Sequence, residues 1–284
     1  MRVQKECYIC LNRLAMQTID FCIKQKPVSC RKETLIRKSI LKILAREFNA
    51  HKVPAVIYTK LNRKIKKLSN IPNPFKERKQ QEIAMARKIY RKLQKNYPPT
   101  LSNLLLFSAC SNALDFFKPL YDSKSQMQRR IHLYIDQTHI LKIKLFQARH
   151  IVFFADNAGE CFFDLPLVRF LGKKRKITYV VKSKAIQNDL TIKDLRKTLL
   201  ADKFPKIICS GNDAVGIEIT TISKLLKKEL QHCDLIIAKG MGYYETFTEL
   251  SQFRGKIFHL LMAKCQPVAK SLGVPLDSYV LVNI

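Results

Sequence analysis

The stretch "FFADNAGECFFDLP", from Phe153 to Pro166, decides how the second half of this chain folds. A short apolar run ends at Asp156 and Asn157, and a glycine, Gly159, and a second apolar run follow almost at once. A buried strand that leads directly into a helix produces this pattern. Polar side chains at such a junction lie at the carboxyl end of the strand, where open α/β sheets bind their ligands. The stretch therefore predicts a parallel sheet and the place of a site.

The two halves of the chain differ in their apolar rhythm. From Arg149 onward, strand-like runs such as "KITYVVKS", "KIICSG" and "DLIIAKG" alternate with helical segments, and "KIFHLLMAK" and "SYVLVNI" follow as further strands. Residues 1–148 instead carry apolar residues at three- and four-residue spacing, as in "CRKETLIRKSILKILAREFN". We therefore predict an all-helical N-terminal domain over 1–148 and an α/β domain over 149–284. The second domain should be a Rossmann-like, mostly parallel sheet with flanking helices.

The composition favours a cytoplasmic protein without a membrane segment. No apolar stretch of the 284 residues approaches the ~20 residues that span a bilayer. The first residues, "MRVQKECYIC", lack the apolar region of a signal peptide. Nine cysteines, an odd number, fit a reducing compartment better than a disulfide framework.

The net charge of +30 has two interpretations. Such a field attracts polyanions and phosphorylated substrates. However, the basic residues are dispersed along the chain, and no basic strip interleaved with base-stacking aromatic residues is visible. We favour solvated basic faces over a nucleic-acid partner, which stays an alternative.

Polar residues also follow the other predicted strands. The second strand ends near Lys182, and the polar stretches that follow the strands comprise 188–191, 210–213 and 239–242. Carboxylate and amide oxygens suit a hard divalent cation, and a lysine beside glycine backbone suits a phosphate. Gly159 would let the backbone approach an anion at the helix start. Together these residues predict metal-assisted phosphoryl chemistry.

Each of these stretches also has an ordinary structural interpretation. Asp156 and Asn157 could cap a helix, and so could 188–191. The stretch Gly211–Asp213 is common turn chemistry. The prediction therefore depends on the occurrence of all the stretches at one edge of one sheet.

Several motifs, in order, resemble those of one family. They are "ECYICLNRLAMQT", "VPAVIYTKL", "IPNPFKERK", "ACSNALDFF", "DNAGE", "NDLTIKD", "CSGNDAVG", "AKGMGYYET" and "LLMAKCQPVA". The chain resembles the metal-dependent damage-control phosphatases, long catalogued as domain of unknown function eighty-nine, in the compact branch with an N-terminal CxxC. The resemblance implies an α/β fold with a helical N-terminal domain. It also implies hydrolysis of small phosphorylated metabolites, such as phosphosugars or damaged cofactor intermediates, with a divalent cation: manganese, cobalt, nickel or magnesium.

The resemblance also implies roles for individual residues. Asp156, Asn157 and Asp189 would bind the metal ion, and Lys239 would hold the substrate phosphate. Asn112 and Glu245 would line the same pocket.

Three positions depart from the family pattern, and they bear on substrate preference. They are Ser111, where the family commonly has Gly; Asn73, where it has Asp; and Tyr243, where it often has Asn.

The sequence leaves parts of the mechanism open. The nucleophile could be a metal-activated water or a carboxylate, with Asp156 the nearer candidate. Asp213 or Glu160 could move a proton, or either could merely satisfy backbone groups. Cys7 and Cys10 supply at most half of a tetrahedral zinc site, so we favour buried thiols for them.

A different enzyme class is the alternative. A carboxyl methyltransferase using S-adenosylmethionine would want a glycine-rich loop after the first strand and an acidic residue at the end of the second. The stretch "DNAGE" has one glycine, and the second strand ends in Lys182. We therefore rank this activity below the phosphatase.

Overall fold

A seven-stranded sheet forms the centre of the protein, seen in a computed structural model that describes residues 1–113 and 131–284. Its strands, in chain order, are β1 (Leu133–Asp136), β2 (His150–Phe154), β3 (Lys176–Val181), β4 (Lys206–Cys209), β5 (Leu235–Lys239), β6 (Ile257–Met262) and β7 (Tyr279–Asn283). The strand order across the sheet is β1-β7-β6-β5-β2-β3-β4. Neighbouring strands are parallel except β6 and β7, which are antiparallel. The predicted α/β class with a mostly parallel sheet is therefore confirmed.

Eleven α-helices surround this sheet in the described ranges. They are α1 (Lys5–Gln25), α2 (Cys30–Glu47), α3 (Pro54–Ser69), α4 (Lys76–Leu93), α5 (Leu101–Cys110), α6 (Thr138–Gln147), α7 (Cys161–Gly172), α8 (Ile192–Lys197), α9 (Lys224–His232), α10 (Met241–Phe247) and α11 (Gln266–Leu272). The end of the motif "ACSNALDFF", residues 114–117, lies outside the described residues.

Strand β2 is buried on both faces, as its apolar run predicts. Ile151 and Phe153 pack into one core cluster, together with side chains of α4, α5 and α7. Val152 and Phe154 pack into a second cluster on the other face, with side chains of α9 and α10. The strand is therefore held between two helical layers, and this fixes the position of the residues that follow it.

The N-terminal helices divide between two cores. Helices α1, α2 and α3 pack on one another, and Ile186, from the loop after β3, inserts into their cluster. Helices α4 and α5 instead pack against the sheet. The loop after β3 is thus anchored by the three-helix layer.

The expectation that residues up to 148 are helical is wrong for β1. This strand has four residues, and its side chains alternate between half-buried and exposed. Pairing with β7 stabilises it at the sheet edge. Its apolar run, Leu133–Ile135, is too short to distinguish a strand from a helix in the sequence. The division into two domains at residue 148 stays a prediction.

None of the helices in the described ranges is both long enough and apolar enough to cross a membrane.

We predict that Leu61→Ala lowers the free energy of unfolding by about 3 kcal/mol, because it opens a cavity in the three-helix core. Leu61 lies on α3 and is completely buried. Leu35→Ala on α2 is the control, because 60% of that side chain is exposed and the change should cost about 0.5 kcal/mol or less. Urea denaturation measures both, and equal losses in the two variants would contradict the assigned core.

Candidate active site

Backbone hydrogen bonds join the carboxyl end of β2 to the loop after β3. The amide of Leu190 donates to the carbonyl of Asp156, and the amide of Ala158 donates to the carbonyl of Asn188, each over 2.8 Å. Between these bonds, Asn157 and Asp189 form an isolated antiparallel bridge. The pairing brings Asp156, Asn157 and Asp189 side by side, although thirty-three residues separate the first from the last.

These three residues line a cleft of about 360 Å³. The cleft lies between the N-terminal helices and the carboxyl ends of β2, β5 and β6. Its other walls come from the starts of α1 and α3 and from the residues that follow β5 and β6. Its position is the one expected for the site of an open α/β sheet.

The capping alternative holds for the stretch 188–191 through Thr191, but it does not describe Asn157 or Asp189. The residue that caps α8 is Thr191, whose hydroxyl accepts from the amide of Asp194. Asn157 makes no side-chain cap bond, and its amide nitrogen instead donates to Glu160 over 2.6 Å. With that nitrogen directed at Glu160, the amide oxygen is the end of Asn157 that suits a cation.

Asn112 holds the carboxylate of Asp156 from behind. Its side-chain nitrogen donates to Asp156 Oδ2 and to Glu160 Oε1, each over 3.0 Å. Its oxygen accepts from the amide of Met262 over 2.9 Å, which fixes the orientation of the side chain. Asn112 is buried and is not among the residues that line the cleft. This place suits a residue that positions Asp156, and the pocket-lining role that the resemblance implied stays a prediction.

Gly240 permits the close packing of Asp156 against the end of β5. Its φ is +82°, and a Cβ at this position would lie 2.0 Å from Asp156 Oδ2. Any side chain would therefore displace the carboxylate and strain the backbone. The sequence placed this glycine at a strand end but gave no sign that it faces Asp156.

The acidic side chains in the cleft are crowded. Burial raises the pKa of Asp156 well above its ordinary value, and the negative charges of Glu160 and Asp189 add to the effect. Burial also raises the pKa of Asp189, although the charges of Lys182 and Lys79 act against it. A cation between these carboxylates would favour their ionised forms.

Two buried lysines, Lys182 and Lys79, contact Asp189. The sequence predicted no role in the site for either of them. The ammonium of Lys182 lies 3.4 Å from Asp189 Oδ2 and donates to the carbonyls of Ala214 and Gly216. The ammonium of Lys79 donates to the carbonyl of Asp189 over 2.8 Å. The signal for Lys182 was its place at the end of β3. Nothing in the sequence of α4 distinguishes Lys79 from its basic neighbours.

Lys239 does not reach the cleft in this structure. Its ammonium is completely buried and forms ion pairs with Glu160 and with Asp164, the latter over 2.6 Å. It also donates to the carbonyl of Ser108 and the hydroxyl of Ser111. The geometry thus places Lys239 behind Glu160, where its charge stabilises the carboxylates. A direct hold on phosphate by Lys239 stays a prediction that this arrangement does not support.

Lys264, which follows β6, is the lysine that lines the cleft beside the predicted metal ligands. Its charge acts to lower the pKa of Asp156, so the two groups lie within electrostatic reach. This lysine belongs to the motif "LLMAKCQPVA", which predicted no role for it.

The remaining predicted residues lie in different places. Glu245 lines the cleft, accepts from the amide of Ala55 over 2.9 Å, and has a pKa raised by burial to about 7. Gly159 is buried in the turn before α7, outside the lining of the cleft. The predicted approach of its backbone to a phosphate therefore has no support in this geometry.

Asp213 is also outside the cleft. Its carboxylate forms ion pairs with Arg63 over 2.7 Å and with Lys66 over 2.6 Å, both on α3. Burial acts to raise the pKa of Asp213, but the hydrogen bonds from Lys66 and Arg63 lower it below its ordinary value. The position indicates a structural ion pair and does not support the predicted proton transfer.

Three thiols line the cleft as well, those of Cys7, Cys10 and Cys265. All three are free of disulfides. Among the described residues, no three His, Cys, Asp or Glu side chains are grouped so that they could hold a metal ion. The predicted metal ligands Asp156, Asn157 and Asp189 are not such a group, because one of the three is an amide.

We predict that Gly240→Ala lowers aryl phosphate hydrolysis at least tenfold, because the new methyl group displaces the Asp156 carboxylate. Gly255→Ala is the matched control: its φ is also positive, at +77°, but no atom lies within 4 Å of the added Cβ. The control should lose about 1 kcal/mol of stability and keep its turnover. Equal turnover in the two variants would show that Gly240 does not set the position of Asp156.

Comparison with known proteins agrees with this architecture. The family model described as "Damage-control phosphatase ARMT1-like domain" matches residues 3–280. In fold, the chain resembles a crystal structure of a DUF89 family protein from Pyrococcus horikoshii with a TM-score of 0.87 and 26% identity. That match covers 100% of this chain and 99% of the other.

Two of the sequence relatives match over the whole chain, and a third matches over most of it. An uncharacterised protein of Methanocaldococcus jannaschii is 32% identical over 298 residues, which cover 100% of this chain and 96% of the relative. A protein of Pyrococcus horikoshii named damage-control phosphatase is 30% identical over 290 residues, which cover 100% of this chain and 98% of the relative. A protein of Archaeoglobus fulgidus, also named damage-control phosphatase, is 28% identical over 243 residues, which cover 82% of this chain and 84% of the relative. With a family model and full-length relatives in agreement, this chain belongs to the damage-control phosphatase ARMT1-like family.

Proposed function

We propose that this protein is a metal-dependent phosphatase that hydrolyses small phosphorylated metabolites. The observation that carries the proposal is the backbone pairing of Asn157 with Asp189, which places Asp156, Asn157 and Asp189 in one cleft. Two sequence relatives that are named damage-control phosphatases support the same class of reaction.

The three side chains fit a hard divalent cation such as Mn²⁺, Co²⁺, Ni²⁺ or Mg²⁺. They offer two carboxylates and one amide oxygen, which are the ligand types that such cations prefer. The crowding of Asp156 with Asp189 and Glu160 adds negative charge that a cation would neutralise. A bound cation would supply a positive charge that neutralises phosphate oxygens and orients the attack.

The surrounding residues keep these ligands in position. Asn112 orients the Asp156 carboxylate, and Glu160 receives hydrogen bonds from both Asn112 and Asn157. The positive charge of Lys239 balances the negative charge of Glu160 in a buried ion pair. Such a preorganised set avoids rearrangement when charge develops in the transition state.

Lys264 is the better-placed group to hold the substrate phosphate. It lines the cleft beside Asp156, whereas Lys239 is enclosed by its acidic partners. The nucleophile is either a water in the cleft or the Asp156 carboxylate, as the sequence already indicated.

The alternative activities have less support. A nucleotide-binding methyltransferase would use an acidic residue at the end of β3, and Lys182 occupies that position as the partner of Asp189. A nucleic-acid-binding function would use a long basic groove, whereas the residues described here converge on a cleft of about 360 Å³.

We predict that Asp156→Ala abolishes hydrolysis of an aryl phosphate in the presence of Mn²⁺, Co²⁺, Ni²⁺ or Mg²⁺, because a cation ligand is lost. Wild-type turnover should disappear with EDTA and return with excess metal. Asp202→Ala, which removes an exposed acid, is the control and should keep full activity. Turnover in Asp156→Ala equal to that of the control would end the proposal.

We predict that Lys264→Gln raises the KM for a phosphate monoester at least tenfold, because a cation that contacts the phosphate is removed. Lys184→Gln, at an exposed position, should leave KM unchanged. Steady-state kinetics at saturating metal separate the two. If Lys264→Gln keeps the wild-type KM, the assignment of the phosphate to Lys264 is wrong.

A further inference from the structure

A second pocket, called here the α9 pocket, lies along α9, on the face of the sheet that carries Val152 and Phe154. It has a volume of about 300 Å³. Lys256 directly precedes β6, and Leu230 lies in the last turn of α9, shortly before β5. These residues mark the amino ends of the two strands, whereas the cleft lies at their carboxyl ends. Ile219 and Ile222 come from the loop that follows β4, and among the described residues none lines both the pocket and the cleft.

The floor of the α9 pocket is apolar. It is formed by Ile219, Ile222, Leu230 and Phe253. Leu230 and Phe253 belong to the core cluster on this face of the sheet, and the two isoleucines pack against that cluster. The pocket is therefore an opening into the core, where an apolar group would leave water and gain contacts.

The rim of the pocket carries positive charge. Lys227 and Lys256 line it, and both are exposed. Among the described residues, neither ammonium has an acidic group within ion-pair distance, and no aspartate or glutamate lines the pocket. Asp234 acts on Lys256 at longer range, but Asp234 Oδ2 accepts the backbone amides of Arg149 and His150, each over 2.8 Å.

The polar residues that complete the rim are Gln231 and Gln252. Their amides can donate to an oxygen anion without adding negative charge. An apolar floor with two ammonium groups and two amides above it selects for a ligand with one acidic end.

We propose that the α9 pocket binds a small amphipathic anion, with an aromatic or short acyl body on the apolar floor and one acidic group between Lys227 and Lys256. This binding site is independent of the proposed phosphatase reaction. Its volume suits a body of two fused rings.

Titration with anilinonaphthalene sulfonate, followed by its fluorescence at low ionic strength, tests the proposal. We expect one saturable site in the wild-type protein. The double variant K227Q/K256Q should bind the probe at least tenfold more weakly. Both lysines are exposed, so the variant should fold normally, and an unchanged thermal unfolding transition checks this.

The matched control is K224Q/K228Q, which removes two exposed lysines from the same helix that do not line the pocket. It should bind the probe like the wild type. Equal weakening in both double variants would show that only the general field of the +30 chain attracts the probe, and would overturn the proposal. The uncharged analogue phenylnaphthylamine should bind at least tenfold more weakly than the sulfonate, and equal affinity would show that the lysines take no part.

Discussion

The candidate active site depends on one short piece of backbone pairing. Residues 156–158, after β2, exchange hydrogen bonds with residues 188–190, in the loop after β3. Both partners are anchored elsewhere, β2 by two apolar cores and the loop by Ile186 in the three-helix cluster. The pairing therefore converts the packing of two distant parts of the chain into a fixed arrangement of three oxygen-bearing side chains.

Around this pairing, buried lysines balance the negative charge of the carboxylates. The carboxylates nearest the cleft lie against buried lysines, with Lys239 on Glu160 and Lys182 beside Asp189. Buried ion pairs of this kind contribute little net stability, because desolvation offsets their attraction. They do fix the positions of the groups they join. We therefore interpret the buried lysines as residues that hold the site in place, whereas Lys264 lines the cleft.

The sequence predicted the fold because its signals were local. Apolar runs that end in polar residues marked six of the strands. The strand β1 was missed, because its short apolar run lies in a half of the chain with helical spacing. The position of Asp156 followed from the same reasoning. The same reasoning could not show that Lys239 is buried among acids while Lys264 lines the cleft, because both lysines follow buried strands. Only the three-dimensional packing distinguishes them. The ion pairs of Asp213 could not be predicted for the same reason, since its partners on α3 are about 150 residues away.

Anomalous diffraction from a crystal of this protein soaked in Mn²⁺ tests the central claim most directly. We expect one strong manganese peak in the cleft, within about 2.5 Å of oxygen atoms from Asp156, Asn157 and Asp189. A manganese peak bound elsewhere, with these three side chains left without an ion, would contradict it.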